Sequence, residues 1–296
     1  MTKEINIDKN SGFCWGVVRT VEIVEKTLAE NQDKDIYILG QIIHNPKEIE
    51  RLSKKGLKTI THKDLHKIDN NDSIIIIRAH GEPPSTFQYL DNIGLMTIDA
   101  TCPLVNVLQK KVKKYFDLGY QIVIYGKREH AEVVGLRGFC CDKCIVVRSA
   151  EEALERVDLN KKTILFSQTT MDKSGFNEIK NALEQRINEI ITEDPDEHFV
   201  SENSICRFVS DRENGFKDFA SDHDLILFVA GKSSSNAKSL YNKCRSINEH
   251  THFIEDTTEI DPQWIENASR IGITGATSTP QWYMEHVKNE IEDKFL

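Results

Sequence analysis

Short apolar runs alternate with longer amphipathic stretches along this chain, and the alternation recurs three times. The first run of each round is 36–40, 122–126 and 225–231; the second is 74–77, 163–166 and 271–275. Runs this short with no polar side predict strands buried on both faces, as in parallel sheets. Ahead of each round, apolar residues recur three and ten positions after a cysteine: Val17 and Val24 after Cys14, Val105 and Val112 after Cys102, Val209 and Phe216 after Cys206. That spacing keeps them near one face of a helix. Pro103 suits a first helical position, where its missing N–H has no partner in any case.

Each strand run leads into a polar turn. The first turns hold His44-Asn45, His130-Ala131-Glu132 and Ser234-Ser235-Asn236; the second hold His80-Gly81, Gln168-Thr169-Thr170 and Thr277-Ser278-Thr279. Repetition on this scale predicts an α/β fold of three similar α/β units with small parallel sheets. The units are expected over 12–100, 101–204 and 205–281, the last completed by 1–11, with a C-terminal helix at 282–296. Packed around a pseudo-threefold axis in a trefoil-like arrangement, they would bring three cysteines and six polar turns to one centre, because ligands of such sheets sit beyond the carboxyl ends of the strands.

The 296 residues exceed what one hydrophobic core serves comfortably, in keeping with several units. A formal charge of -9 argues against nucleic acid as a partner, since phosphate-backbone binding needs a basic footprint. No apolar run approaches the roughly 20 residues of a membrane helix, and the first residues carry no apolar signal segment, so no membrane partner and a cytoplasmic location are expected. In a reducing compartment the seven cysteines point to metal ligation or plain burial rather than disulfides.

A single cysteine is most often a small buried hydrophobe. Equivalent placement in three rounds favours ligation, and a position near a helix N-terminus favours the thiolate. Three thiolates would leave one iron of a four-iron cluster without a protein ligand, open to act as Lewis acid as well as electron donor. Cys141-Asp142-Lys143-Cys144 has the spacing of a zinc knuckle but lacks a second pair of ligands, and Cys140 and Cys244 carry no pattern.

His44, His80 and His130 stand beside turns, where a histidine can serve as a structural hydrogen bonder or, in corresponding positions, recognise an anion. Ser233 to Asn236 offers hydroxyls and an amide suited to phosphate oxygens, or a solvated cap. Gly231-Lys232-Ser233 imitates the end of a P-loop, but Ile226 stands where that motif needs glycine. Glu132 is the carboxylate of these turns; desolvated, it could keep a proton at neutral pH and act as general acid.

Together these segments resemble the 4-hydroxy-3-methylbut-2-enyl diphosphate reductases, the IspH or LytB family of the non-mevalonate isoprenoid pathway. The likeness runs in order through Gly12-Phe13-Cys14, Ile43-His44-Asn45, Ala79-His80-Gly81, Asp99-Ala100-Thr101-Cys102-Pro103, 130–135, Gln168-Thr169-Thr170, Ile205-Cys206, Ser234-Ser235-Asn236 and Ser278-Thr279-Pro280. It implies a [4Fe-4S] cluster on Cys14, Cys102 and Cys206. It implies an allylic diphosphate held mainly by His44, His80, His130, Thr169, Ser234, Ser235, Asn236 and Ser278, with protons from Glu132 and electrons from a ferredoxin or flavodoxin. The implied reaction is reductive dehydroxylation. Trp15, Ala131 and the Cys140-Cys141-Cys144 group depart from the common pattern. Two rival readings are a non-redox iron–sulfur hydro-lyase and a non-catalytic iron–sulfur or zinc sensor.

Overall fold

A computed structural model describes residues 3–69, 72–191 and 198–295, with no side chain described for 210, 212–214, 216 and 235. The chain begins with β1 (Glu4–Ile7) and α1 (Trp15–Glu30). A first sheet follows from β2 (Asp35–Leu39), β3 (Lys58–Ile60), β4 (Ser73–Ile77) and β5 (Met96–Asp99), with α2 (Pro46–Lys54) after β2 and α3 (Pro84–Asn92) after β4. After α4 (Pro103–Asp117), the second sheet is built from β6 (Gln121–Tyr125), β7 (Cys144–Val147), β8 (Thr163–Ser167) and β9 (Phe199–Ser201). Its intervening helices are α5 (Ala131–Phe139), α6 (Ala150–Arg156) and α7 (Lys173–Ile190). The last part runs α8 (Arg207–Ser221), β10 (Leu225–Val229), α9 (Ser235–Ile247), β11 (Thr251–Ile254), α10 (Pro262–Glu266), β12 (Arg270–Gly275) and α11 (Gln281–Phe295).

All strand pairs are parallel, and the order is the same each time: β3-β2-β4-β5, β7-β6-β8-β9 and β11-β10-β12-β1. The three similar α/β units expected from the repeat are therefore present. The six apolar runs are the central strands; β4, β8 and β10 are buried at every position. Most outer strands were not expected. They are short, and β3, β5 and β9 carry polar or half-exposed residues that break the apolar signal.

The described residues group into two compact bodies. One comprises Met1–Leu28, Gln41–Leu57 and Arg207–Leu296 and holds the third sheet; the other comprises Ala29–Gly40 and Lys58–Cys206 and holds the first two. The third sheet has an apolar cluster on each face, one around Ile271, Ile273, Met284 and Val287, the other around Ile226, Phe228 and Leu240. The second sheet is likewise covered twice, by Val112, Val133 and Leu136 on one face and by Phe176, Ile179 and Leu183 on the other. Among the described residues no helix is long and apolar enough to cross a membrane.

Candidate functional site

Each of the three expected ligand cysteines stands at the head of a helix: Cys14 just before α1, Cys102 as the cap of α4, and Cys206 just before α8. None of the seven cysteines is in a disulfide, and these three are half-buried. One hydrogen bond is repeated in all three places. The Cys14 N–H donates to Thr277 O at 3.1 Å, that of Cys102 to Ala79 O at 3.0 Å, and that of Cys206 to Thr169 O at 2.8 Å. Each acceptor lies two residues beyond a central strand, after β12, β4 and β8 respectively.

The cysteines therefore do more than open a unit. Each ends the connection from an edge strand, β1, β5 or β9, and its amide is tied to the neighbouring strand of that same sheet. Strand-end turn and thiol are held in a fixed relation by backbone alone. The donor set suits iron, for which sulfur is a soft ligand.

In the body holding the first two sheets, the turns after β4, β6 and β8 carry His80, His130 and Thr169. His130 caps α5, its Nδ1 accepting from the Glu132 N–H at 3.3 Å, and its ring meets that of His80 edge-on with centroids 5.4 Å apart. Glu132 lies in the first turn of α5 and is only 2% exposed. Thr169 donates to both of its oxygens, through N–H to Oε1 at 2.7 Å and through Oγ1 to Oε2 at 2.6 Å. Burial pushes the Glu132 carboxyl up to about 7, against the two Thr169 hydrogen bonds, which pull it down. Thr169 thus touches the acid with its side chain and amide while its carbonyl holds the Cys206 amide.

A second buried carboxylate was missed. Glu82, two residues past His80, accepts from His62 Nε2 at 2.7 Å and lies 3.6 Å from the Arg78 guanidinium. The Arg78 guanidinium sets it apart from Glu132, whose hydrogen-bond donors among the described residues are the neutral N–H and hydroxyl of Thr169. Sequence offered a signal, since Glu82 directly follows His80-Gly81.

In the other body, His44 precedes Asn45, whose Oδ1 caps α2 by accepting from Lys47 and Glu48. Gly231 makes room for this turn: a Cβ there would lie 2.1 Å from His44 O. Ser234 caps α9, accepting from the Ala237 N–H at 3.2 Å. Asn236 is buried, and its Nδ2 bonds Thr277 Oγ1 at 2.8 Å. Thr277 therefore does for Cys14 and Asn236 what Thr169 does for Cys206 and Glu132, and it too was missed. Asn236 Oδ1 and Ser278 Oγ are buried without a hydrogen-bond partner among the described residues. Such orphans are costly unless a ligand completes them. Ser278 can donate to an anion, and because the Thr277 hydroxyl can give as well as take a proton, the reversed Asn236 amide also presents a donor. The Ser235 side chain lies outside the described set.

A cavity of about 480 Å³ adjoins Cys14, lined among others by Phe13, Trp15, Phe208 and Thr277, with Trp15 half exposed. Residues 14, 44, 234, 236 and 278 lie in one body; 80, 102, 130, 132, 169 and 206 in the other.

Three parallel α/β units, each with a cysteine whose amide bonds a strand-end turn, define a class of repeated α/β protein. Comparison narrows the class: the family described as LytB protein matches residues 5–292, and the chain belongs to it. It is 43% identical to the 4-hydroxy-3-methylbut-2-enyl diphosphate reductase of Bacteroides thetaiotaomicron, over 98% of either chain. It is 40% identical to that of Chloroherpeton thalassium, over 99% of this chain and 97% of the relative. Among solved structures, (E)-4-hydroxy-3-methyl-but-2-enyl diphosphate reductase, described as the terminal enzyme of the non-mevalonate pathway, is similar with a TM-score of 0.73 and 33% identity. That match covers 99% of this chain and all of the other. The Plasmodium falciparum reductase gives a TM-score of 0.84 at 27% identity, over all of this chain and 90% of that one.

Proposed function

We propose that this chain is an iron–sulfur oxidoreductase that converts (E)-4-hydroxy-3-methylbut-2-enyl diphosphate to isopentenyl and dimethylallyl diphosphates. The net reaction takes up two electrons and two protons and releases water. The observation that carries the acid–base part is the buried Glu132 carboxyl, bound at both oxygens by Thr169, whose carbonyl also fixes Cys206.

Cys14, Cys102 and Cys206 would hold a [4Fe-4S] cluster. When bound, that cluster supplies electrons and Lewis acidity at an iron that no thiolate occupies. Glu132, kept protonated to near neutral pH by burial, delivers a proton to the departing hydroxyl. His44, His80, His130, Ser234, Ser235, Asn236 and Ser278 bind the diphosphate, which positions the allylic carbon. The buried orphan atoms of Asn236 and Ser278 support that assignment. Thr169 orients the acid and contacts substrate through the same turn. A ferredoxin or flavodoxin delivers the electrons.

Protein purified without oxygen should contain iron and sulfide, and its turnover of the allylic diphosphate should stop without a reductant. Turnover with no electron donor would identify a hydro-lyase; stoichiometric zinc without sulfide would identify a zinc sensor. Glu132→Gln should keep the iron and lose about 10²- to 10⁴-fold in kcat, the usual worth of a general acid.

A further inference from the structure

In the body that holds the third sheet, two of the turns assigned to the diphosphate run straight into helices. His44-Asn45 leads into α2, and Ser278 leads through Thr279-Pro280 into α11. The first turns of these helices are bonded to each other. Trp282 Nε1 donates to Glu48 Oε2 at 2.8 Å, and Arg51, one turn along α2, holds the same carboxylate through Nε at 2.8 Å and through a terminal nitrogen. Glu48 is fully buried, and its own N–H donates to Asn45 Oδ1 at 3.3 Å. A second tie runs beside the first: Lys47 pairs with Asp256, and its ammonium lies 5.6 Å from the centre of the Tyr283 ring.

The far side of each turn is fastened too. Thr279 Oγ1 donates to Val229 O at 2.6 Å and accepts from the Ala276 N–H at 3.1 Å, so the Ser278 turn is closed onto the end of β10. Gly231, two residues past β10, leaves the room that His44 O occupies. A buried ion pair adds little net stability, because desolvation offsets the attraction. What it gives is direction. The two bonds from Arg51 fix the plane of the Glu48 carboxylate, and the indole N–H, a donor only, meets it there. Groups that grip one ligand from two chain segments need support of that precision.

We propose that Glu48 and Trp282 are positioning residues of the diphosphate site. Their bond, with the Lys47–Asp256 pair beside it, sets the His44 turn against the Ser278 turn so that both address the same anion. Neither residue need touch substrate. This role rests on His44 and Ser278 being diphosphate ligands, as proposed above.

The test compares the cluster-loaded parent with Trp282→Phe, which keeps an aromatic ring and loses the N–H. Inorganic diphosphate binding is measured by titration calorimetry, beside steady-state kinetics with the allylic diphosphate. Trp282→Phe should weaken inorganic diphosphate about tenfold and raise KM by a similar factor while kcat stays within about twofold, because the displaced ligands hold the substrate away from its reacting carbon. In a His44→Ala background the same substitution should cost about threefold or less, since the group it positions is gone. Binding and KM equal to the parent's, with or without a lower urea midpoint, would overturn the positioning role and leave the diphosphate site standing. An undiminished loss in the His44→Ala background would overturn it as well. A parent that binds no inorganic diphosphate would remove site and positioning role together. Should Trp282→Phe fail to fold, Asp256→Asn decides by the same criteria, because it releases Lys47 yet keeps the side-chain oxygen that accepts from the Thr258 N–H.

Discussion

A carboxyl enclosed by protein and met only by neutral donors favours its protonated form, and Glu132 is such a group. Its value of about 7 exceeds the ordinary 4.5. Between those values an unfolded chain releases a proton that the folded chain keeps, so this residue's contribution to stability falls as pH rises through the interval and levels off above it. Glutamine has the same shape and does not titrate. Glu132→Gln should therefore gain stability relative to the parent from pH 5 to pH 8, on the order of 3 kcal/mol at most, read by denaturant unfolding at the two values. A constant difference would place the carboxylate in water. Thr169 tunes the same proton. Its hydroxyl bond favours the ionised form, so Thr169→Val should raise the carboxyl further and move the alkaline limb of the kcat profile to higher pH. A limb that stays in place, or moves down, would exclude Glu132 as its source.

Between residue and chain stands α5, which carries Glu132 and is held by close contact along one side. A Cβ at Gly138 would lie 2.5 Å from Pro83 Cβ and 2.9 Å from its Cα; one at Gly135 would lie 3.2 Å from Gln109 Nε2. Alanine is preferred to glycine within a helix by about 1 kcal/mol, but the obstacle is a ring and backbone that cannot swing aside. Overpacking of this kind costs about 1–3 kcal/mol, so Gly138→Ala should destabilise the protein and lower kcat by displacing the Glu132 helix. A variant more stable than the parent, measured by urea midpoint, would mean that α3 and α5 pack loosely. This need for bare helix surface was not legible in the sequence, where the glycines of α5 carry no periodic signal. The helices themselves and the central strands were legible, because an amphipathic stretch or a wholly apolar run states its own environment. The outer strands β3, β5 and β9 were not, since their partners, rather than their side chains, make them strands.

At the scale of the whole molecule, what sequence revealed was the repetition, and what it concealed was which backbone groups the repetition serves. The cysteine spacing marked three equivalent thiols, yet only the hydrogen bonds show that 277, 79 and 169 are the corresponding acceptors. Thr277 and Ala79 stood within the expected turns, but nothing marked them as acceptors, because a carbonyl oxygen has no residue type. Equivalence of this kind makes a strong demand on mutants. Serine keeps the amide that each cysteine donates and is itself a favoured helix cap, so Cys14→Ser, Cys102→Ser and Cys206→Ser should each leave the metal-free fold within about 0.5 kcal/mol of the parent, as surface-like changes do. What serine lacks is a soft thiolate, so all three variants should lose bound iron and sulfide to a similar degree despite their separate places in the chain. Iron and sulfide assays on anaerobic protein, beside thermal unfolding of the metal-free forms, separate ligand loss from fold loss. One variant with a full and stable cluster would remove that cysteine from the proposed ligand set and, with it, the proposed equivalence of the three thiols.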